Sequence, residues 1–154
     1  MRKAVALFFL ASLWSFSQAA EPVIAMRLLS PTPHEGVSEM KTGDEMVWVE
    51  KEILIDDNDI ASAALGADRN GPIVTIKFTK EGSERFAKVT KASIGMRLAI
   101  IHDGKILMAP VIRDEITGGE AILSGRFSEA EAGELSAKIN KAAKVAAEAE
   151  EPSS

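Results

Sequence analysis

The sequence predicts an α+β domain: a mostly antiparallel or mixed sheet with two main helices packed on one face, plus a short capped helix. Three observations lead there. Apolar runs of strand length recur along the chain, two segments change to the helical period, and Asp103-Gly104 separates two strand-like runs in the manner of a tight hairpin. The 154 residues, 46% of them hydrophobic, are enough for one domain with a real core and too few for two comfortable ones.

The elements follow in chain order. Residues 1–19 read as a secretory signal peptide: Arg2 and Lys3 form a positive start, an apolar run extends from Ala4 to Phe16, and Ser17 and Ala19 are small residues placed for cleavage after Ala19 or Ala20. That run is too short to cross a bilayer, which takes about 20 apolar residues of helix. The domain is then expected over residues 20–146, with 147–154, "AEAEEPSS", as a disordered acidic tail.

"PVIAMRLL" is a strand-length run, "SPTPHEGVSEMKTGDE" has the composition of an exposed loop, and "MVWVEKEILI" is a second strand. In "DDNDIASAALGAD" the spacing predicts one or two turns of helix, with Asp57 as cap, small helix formers from Ile60 to Leu65, and Gly66 as the stop. "GPIVTIKF" alternates as a half-buried strand should. "TKEGSERFAKVTKASIG" puts Phe86 and Val89 on one helical face, turns Lys80, Glu84, Lys88 and Lys91 to water, and ends at Gly95.

"MRLAII" and "KILMAPVI" flank the Asp103-Gly104 turn, which requires positive φ at both central positions. "AILSG" is one more strand. Ser128 and Glu131 then make a capping box before a helix whose stripe is Leu135, Ile139, Ala142 and Ala146.

The composition excludes several kinds of chemistry. The formal charge is −5, and losing Arg2 and Lys3 makes the remainder more acidic, which argues against nucleic acid and against adsorption to anionic lipid. With no cysteine there is neither thiol catalysis nor a Cys₄ zinc site. His34 and His102 have no metal-binding spacing, "LSGRF" lacks half of a nucleophile elbow, and the acids of "DDNDIASAALGAD" miss the calcium-loop pattern at the fifth, sixth and twelfth positions. "TGGE" reads as tight-turn geometry, with no motif around it for phosphate. No catalytic residue, cofactor or metal is expected.

"FTKEGSERFAKVT", "IGMRLAIIHDGKILMAPVI" and "ITGGEAILSGRFSEAEAGEL" together resemble the head subdomain of the first periplasmic (P1) domain of SecD and SecDF, membrane accessories of the Sec export channel. The series Asp103, Gly104, Lys105, Ala109, Pro110, Ile112 is followed at family-like distance by Ile116, Gly119, Ile122, Ser124, Gly125 and Phe127. His102 stands where the family usually has an apolar or uncharged residue. The membrane helices and base subdomain of those proteins have no counterpart here, so proton coupling is not carried over.

The resemblance implies a non-enzymatic, detached head that contacts translocating or non-native polypeptide, with Sec translocon components as further partners, in the periplasm or outside the cell. An α+β sheet with an exposed edge could add an extended peptide as another strand. The binding-face residues expected are Asp103, Gly104 and Lys105 for the turn, Pro110 for an edge strand, Gly118 and Gly119 for a second turn, and Gly125. A periplasmic adaptor for one folded envelope partner and an enzyme of unrecognised type are the alternatives.

Overall fold

The structure, a computed structural model, describes residues 20–150. The expected signal peptide and residues 151–154 lie outside the described residues. The fold is α+β and its ladders are antiparallel, but the strands divide into two sheets.

The five-stranded sheet has the order β2-β3-β1-β6-β7, with β1 at Ala25–Ser30, β2 at Val37–Thr42, β3 at Glu45–Glu50, β6 at Leu98–His102 and β7 at Lys105–Met108. β1 is central, pairing with β6 from Ala25↔Ile101 to Leu28↔Leu98 and with β3 through Leu29↔Val49 and Ser30↔Trp48. A central strand covered on both faces needs apolar residues at successive positions, which is why "IAMRLL" reads as a nearly continuous run. Met26 packs into the main core with Ile24, Leu98 and Ile100, whereas Ala25 and Leu29 face a smaller core with Val47, Val49, Ala99 and Ile101. The edge strands β2 and β7 approach each other, so the sheet curls around that smaller core.

β2 corrects the sequence reading, which made residues 30–45 a loop. Val37–Thr42 pairs with all of β3, from Val37↔Glu50 to Thr42↔Glu45, across a turn where Gly43 has φ 61°. An edge strand needs only one ladder and one covered face, so the polar sequence "VSEMKT" serves, with Met40 packing on the smaller core.

The second correction is larger. The expected capped helix over Asp57–Leu65 is a 3₁₀ turn of three residues, Asp57–Asp59, capped by Asp56, and Ile60–Asp68 is strand β4. Helix propensity in "IASAALGA" loses to tertiary pairing, because β4 forms a long ladder with β5, Gly71–Phe78. Asp57 is not the cap; its two carboxylate oxygens accept from the Val23 and Ile24 N–H groups at 2.7 and 2.9 Å and fasten the entry to β1. The three-stranded sheet is completed by β8, Glu120–Ser124, on the other side of β5.

Helix α1, Lys80–Ala92, starts at Thr79, whose hydroxyl oxygen accepts from the Gly82 N–H at 3.0 Å. Gly82 is required there, since a Cβ would run into the backbone of Asp59. Phe86 is buried and stacks near Phe78 with ring centroids 4.7 Å apart, while Val89 is half-buried. Thr90 takes the fully buried place, donating to the Phe86 carbonyl at 2.9 Å and accepting from the Ile116 N–H at 2.9 Å.

Helix α2, Glu129–Glu150, carries the predicted capping box, with the Ser128 N–H donating to Glu131 at 2.7 Å and the Glu131 N–H donating to the Ser128 hydroxyl at 3.2 Å. The Ser128 N–H and, at 2.8 Å, the Ser128 hydroxyl both donate to the Glu131 carboxylate and hold it below its ordinary pKa. Its buried line is Ala132, Leu135, Ile139 and Ala143, so the expected stripe is right at Leu135 and Ile139, while Ala142 and Ala146 are only half-buried. The helix continues to Glu150, and the first four residues assigned to an acidic tail are helical. Both sheets and both helices contribute to one main core.

Candidate functional site

The two edges of the three-stranded sheet differ in their main-chain hydrogen bonding. The Phe78 N–H donates to the Gly119 carbonyl at 2.9 Å, which makes Phe78 and Gly119 a hydrogen-bonded pair. Alternation along the ladder then bonds Ile76 to Ala121 and Val74 to Leu123, and leaves Lys77↔Glu120, Thr75↔Ile122 and Ile73↔Ser124 as the non-bonded pairs. Glu120, Ile122 and Ser124 therefore turn their N–H and C=O groups away from β5. No ladder joins that side of β8 to another strand among the described residues, although β7 comes near it.

Side chains sort along the same alternation. Leu123 is fully buried in the main core, and Ile122 points outward with 57% of its surface exposed. Glu120 pairs with Lys77 on the outer face, Nζ to carboxylate 3.3 Å. The arrangement offers unpaired main-chain donors and acceptors beside an exposed apolar side chain, which is what strand addition uses.

On the far side of the sheet, the Ala63 N–H and C=O point away from β5 in the same register, and α2 answers both. Asn140 accepts from the Ala63 N–H and donates to its carbonyl, each at 2.8 Å, and the Ser136 hydroxyl donates to that carbonyl at 3.1 Å. One amide side chain thus makes the pair of bonds that a neighbouring strand would make.

The seven residues expected to form a binding face do not converge. Asp103 and Gly104 have φ 47° and 68°, the left-handed pair of the predicted hairpin turn. Lys105 lies opposite His102 in its ladder. The turn is tied back to the body of the protein: Asp103 lies 3.6 Å from Lys138 of α2 and 3.3 Å from His102 Nε2, and His102 Nδ1 bonds the Val23 carbonyl at 2.7 Å.

Pro110 lies beyond the last residue of β7. Its carbonyl accepts from Leu98 at 2.9 Å, so its ring nitrogen faces β6 and leaves a gap in that ladder instead of capping an outer edge. Gly118 and Gly119 precede β8, with Gly119 at φ 70° beside Ser83. Gly125 follows β8 and packs against Phe127. The last three glycines bracket the open edge; the other four residues do not.

Sequence reasoning missed Ile122 itself, although "EAILS" between glycines places it on the polar, outward side by simple alternation. It also missed a cleft of about 390 Å³ formed by Leu29, Pro31, Val47, Trp48 and Met96, with a 3.1 Å Arg97–Glu45 ion pair at the rim. The histidines stand apart: His34 binds Glu50 at 3.0 Å, and its pKa is raised, first by the Glu35 carbonyl it bonds and then by Glu50. Among the described residues no three His, Asp or Glu side chains gather as metal ligands, and no helix is long and apolar enough to cross a membrane.

Comparisons with known proteins place this geometry in a lineage. Protein translocase subunit SecDF of Thermus thermophilus is 46% identical over 83 residues, covering 53% of this chain and 11% of that protein. Protein translocase subunit SecD of Rickettsia prowazekii is 37% identical over 94 residues, covering 60% of this chain and 18% of the relative. The chain thus spans a small fraction of the curated relatives it matches.

Among solved structures, one described as a membrane component SecDF that enhances protein export superposes with TM-score 0.64 at 29% identity, covering 77% of this chain and 62% of that one. SecDF in a super-membrane-facing form gives 0.63 at 30% identity, covering 77% and 18%. Residues 34–145 match the family described as the SecDF P1 head subdomain, and with that match over most of its length the chain belongs to this family.

Proposed function

We propose that this chain is an exported, non-enzymatic module of protein export that holds translocating or non-native polypeptide in extended form along β8. The carrying observation is the open β8 edge, with outward main-chain groups at Glu120, Ile122 and Ser124 and an exposed Ile122, in a chain of the SecDF P1 head family. A main-chain hydrogen bond contributes about 0.5–1.5 kcal/mol net, so a few of them give weak, sequence-tolerant and readily reversed binding. Such binding suits a component that must let its client go.

Under this reading residues 1–19 direct export to the periplasm, residues 20–146 form the working domain, and Sec translocon components are neighbours. Gly118, Gly119 and Gly125 set the ends of the binding edge. Asp103, Gly104, Lys105 and Pro110 shape the adjacent β6–β7 pair.

A photocrosslinker at Ile122 in living cells tests the reading, with Val145, an equally exposed apolar residue of α2, as control. Labelling of many newly exported chains at Ile122, and few at Val145, is the expected result. Equal labelling at the two positions defeats it. The cleft at Trp48 and Met96 favours a second reading, an adaptor for one folded envelope partner, because Trp, Met and Arg are residue types that anchor interfaces. A crosslinker at Met96 that gives a single dominant band, with Ile122 silent, selects the adaptor.

A further inference from the structure

The β8 edge is self-complementary. We propose that two copies of this chain pair through β8 in antiparallel register about Ile122, joining their three-stranded sheets into one. The inference rests on the same open edge as the client-binding reading and adds a second occupant for it.

The argument starts from the register. β8 runs Glu120-Ala121-Ile122-Leu123-Ser124, and its outward main-chain groups belong to the first, third and fifth residues. A two-fold axis at Ile122 sets Ile122 opposite Ile122 of the second copy and Glu120 opposite Ser124 of the second copy. Each of these facing pairs can exchange both N–H···O bonds, so no outward group of the strand is left over.

Charge agrees with that register. The one ionisable residue of β8, Glu120, meets a serine hydroxyl, and the two Glu120 side chains lie at opposite ends of the pairing, each beside its own Lys77 at 3.3 Å. A parallel pairing would set Glu120 against Glu120, and like charges directly opposite are destabilising. The most exposed apolar side chain of the strand, Ile122, would be covered by its own copy. Pairing would also occupy the edge that a client needs, so self-association and client holding exclude each other on β8.

The chain has no cysteine, which allows a register test in the full chain with single-cysteine variants oxidised by oxygen and copper-phenanthroline. The Cα separation of facing residues in an antiparallel pair lies within disulfide range, so I122C should form disulfide dimers on the order of tenfold faster than V145C. E120C mixed with S124C should crosslink faster than either variant alone, the signature of the antiparallel register. Circular dichroism confirms that each variant folds.

If I122C dimerises no faster than V145C, or if the E120C and S124C mixture shows no preference, the pairing is refuted. Client labelling at Ile122 without self-crosslinking leaves the client reading standing alone. Self-crosslinking without client labelling does the reverse.

Discussion

β4 and β8 flank the same central strand and meet the same problem in different ways. At Ala63 the outward main-chain groups of β4 are taken up by Asn140 and Ser136, whereas those of Glu120, Ile122 and Ser124 on β8 have, among the described residues, no strand or helix that bonds them. Natural sheets usually protect exposed edges, because unpaired N–H and C=O groups invite other chains. The difference teaches that this fold can answer outward main-chain groups with helix side chains and does so at Ala63, while Leu65 and Ala67, further along β4 in the same register, stay open among the described residues.

Three substitutions and one titration break or sharpen this contrast. The largest effect is expected from Leu123→Ala, which empties a fully buried position on the strand that carries the open edge. It should cost about 2–5 kcal/mol in chemical denaturation. It should also loosen β8, read as faster amide hydrogen exchange at Ala121 and at position 123.

Next, Asn140→Ala uncovers the Ala63 groups on β4. The Ala63 N–H loses the Asn140 acceptor and its carbonyl keeps the Ser136 hydroxyl, at a cost of about 1–3 kcal/mol. The variant should then capture extended peptides at a crosslinker placed on β4, where the parent chain does not.

The third test concerns the turn that leads into β4. Asp59 is buried with Arg85 at 3.0 Å, and burial, the foremost cause, raises its pKa above the ordinary value while Arg85 and the Asp56 backbone oppose the shift. A carboxyl whose folded pKa is raised binds its proton more readily in the native state, so stability is lost as pH rises through the folded value and is fully present below the unfolded one. Asp59→Asn should flatten this acid-range dependence in thermal melts at successive pH values. An unchanged slope would show that Asp59 does not govern it.

The smallest effect on stability belongs to Ile122→Lys. The position is exposed, so the melting curve should shift by about 0.5 kcal/mol or less, while client labelling and self-pairing both fall. A variant that binds as before would exonerate the edge.

Legibility in the sequence followed the locality of the physics. The Asp103-Gly104 hairpin was readable because positive φ at two adjacent residues is a demand that few residue pairs meet. The Ser128–Glu131 box was readable because both partners lie within one turn. β4 was not, because its strand state comes from β5 and from Asn140, 77 residues away, and small residues such as Ala61, Ala63 and Ala64 carry no local preference strong enough to announce it. β2 was hidden for a related reason: one covered face leaves little hydrophobic pattern behind.

The candidate edge was half legible. Its flanking glycines were found and its working residue was not, although Ile122 shares the alternation of Glu120 and Ser124 and so falls with them on the polar face. Pro110 was singled out as an edge marker, but proline signals a missing donor without saying toward which neighbour it would have pointed.

The central place of β1 bears on how the molecule matures. Its ladder partner on one side, Leu98–His102, is translated some seventy residues after it, so an emerging chain stopped short of that segment has no neighbour to complete the middle of the sheet. Pairings of such long sequence separation form slowly. Nascent copies should therefore stay loose until that segment has emerged and the middle of the sheet can close.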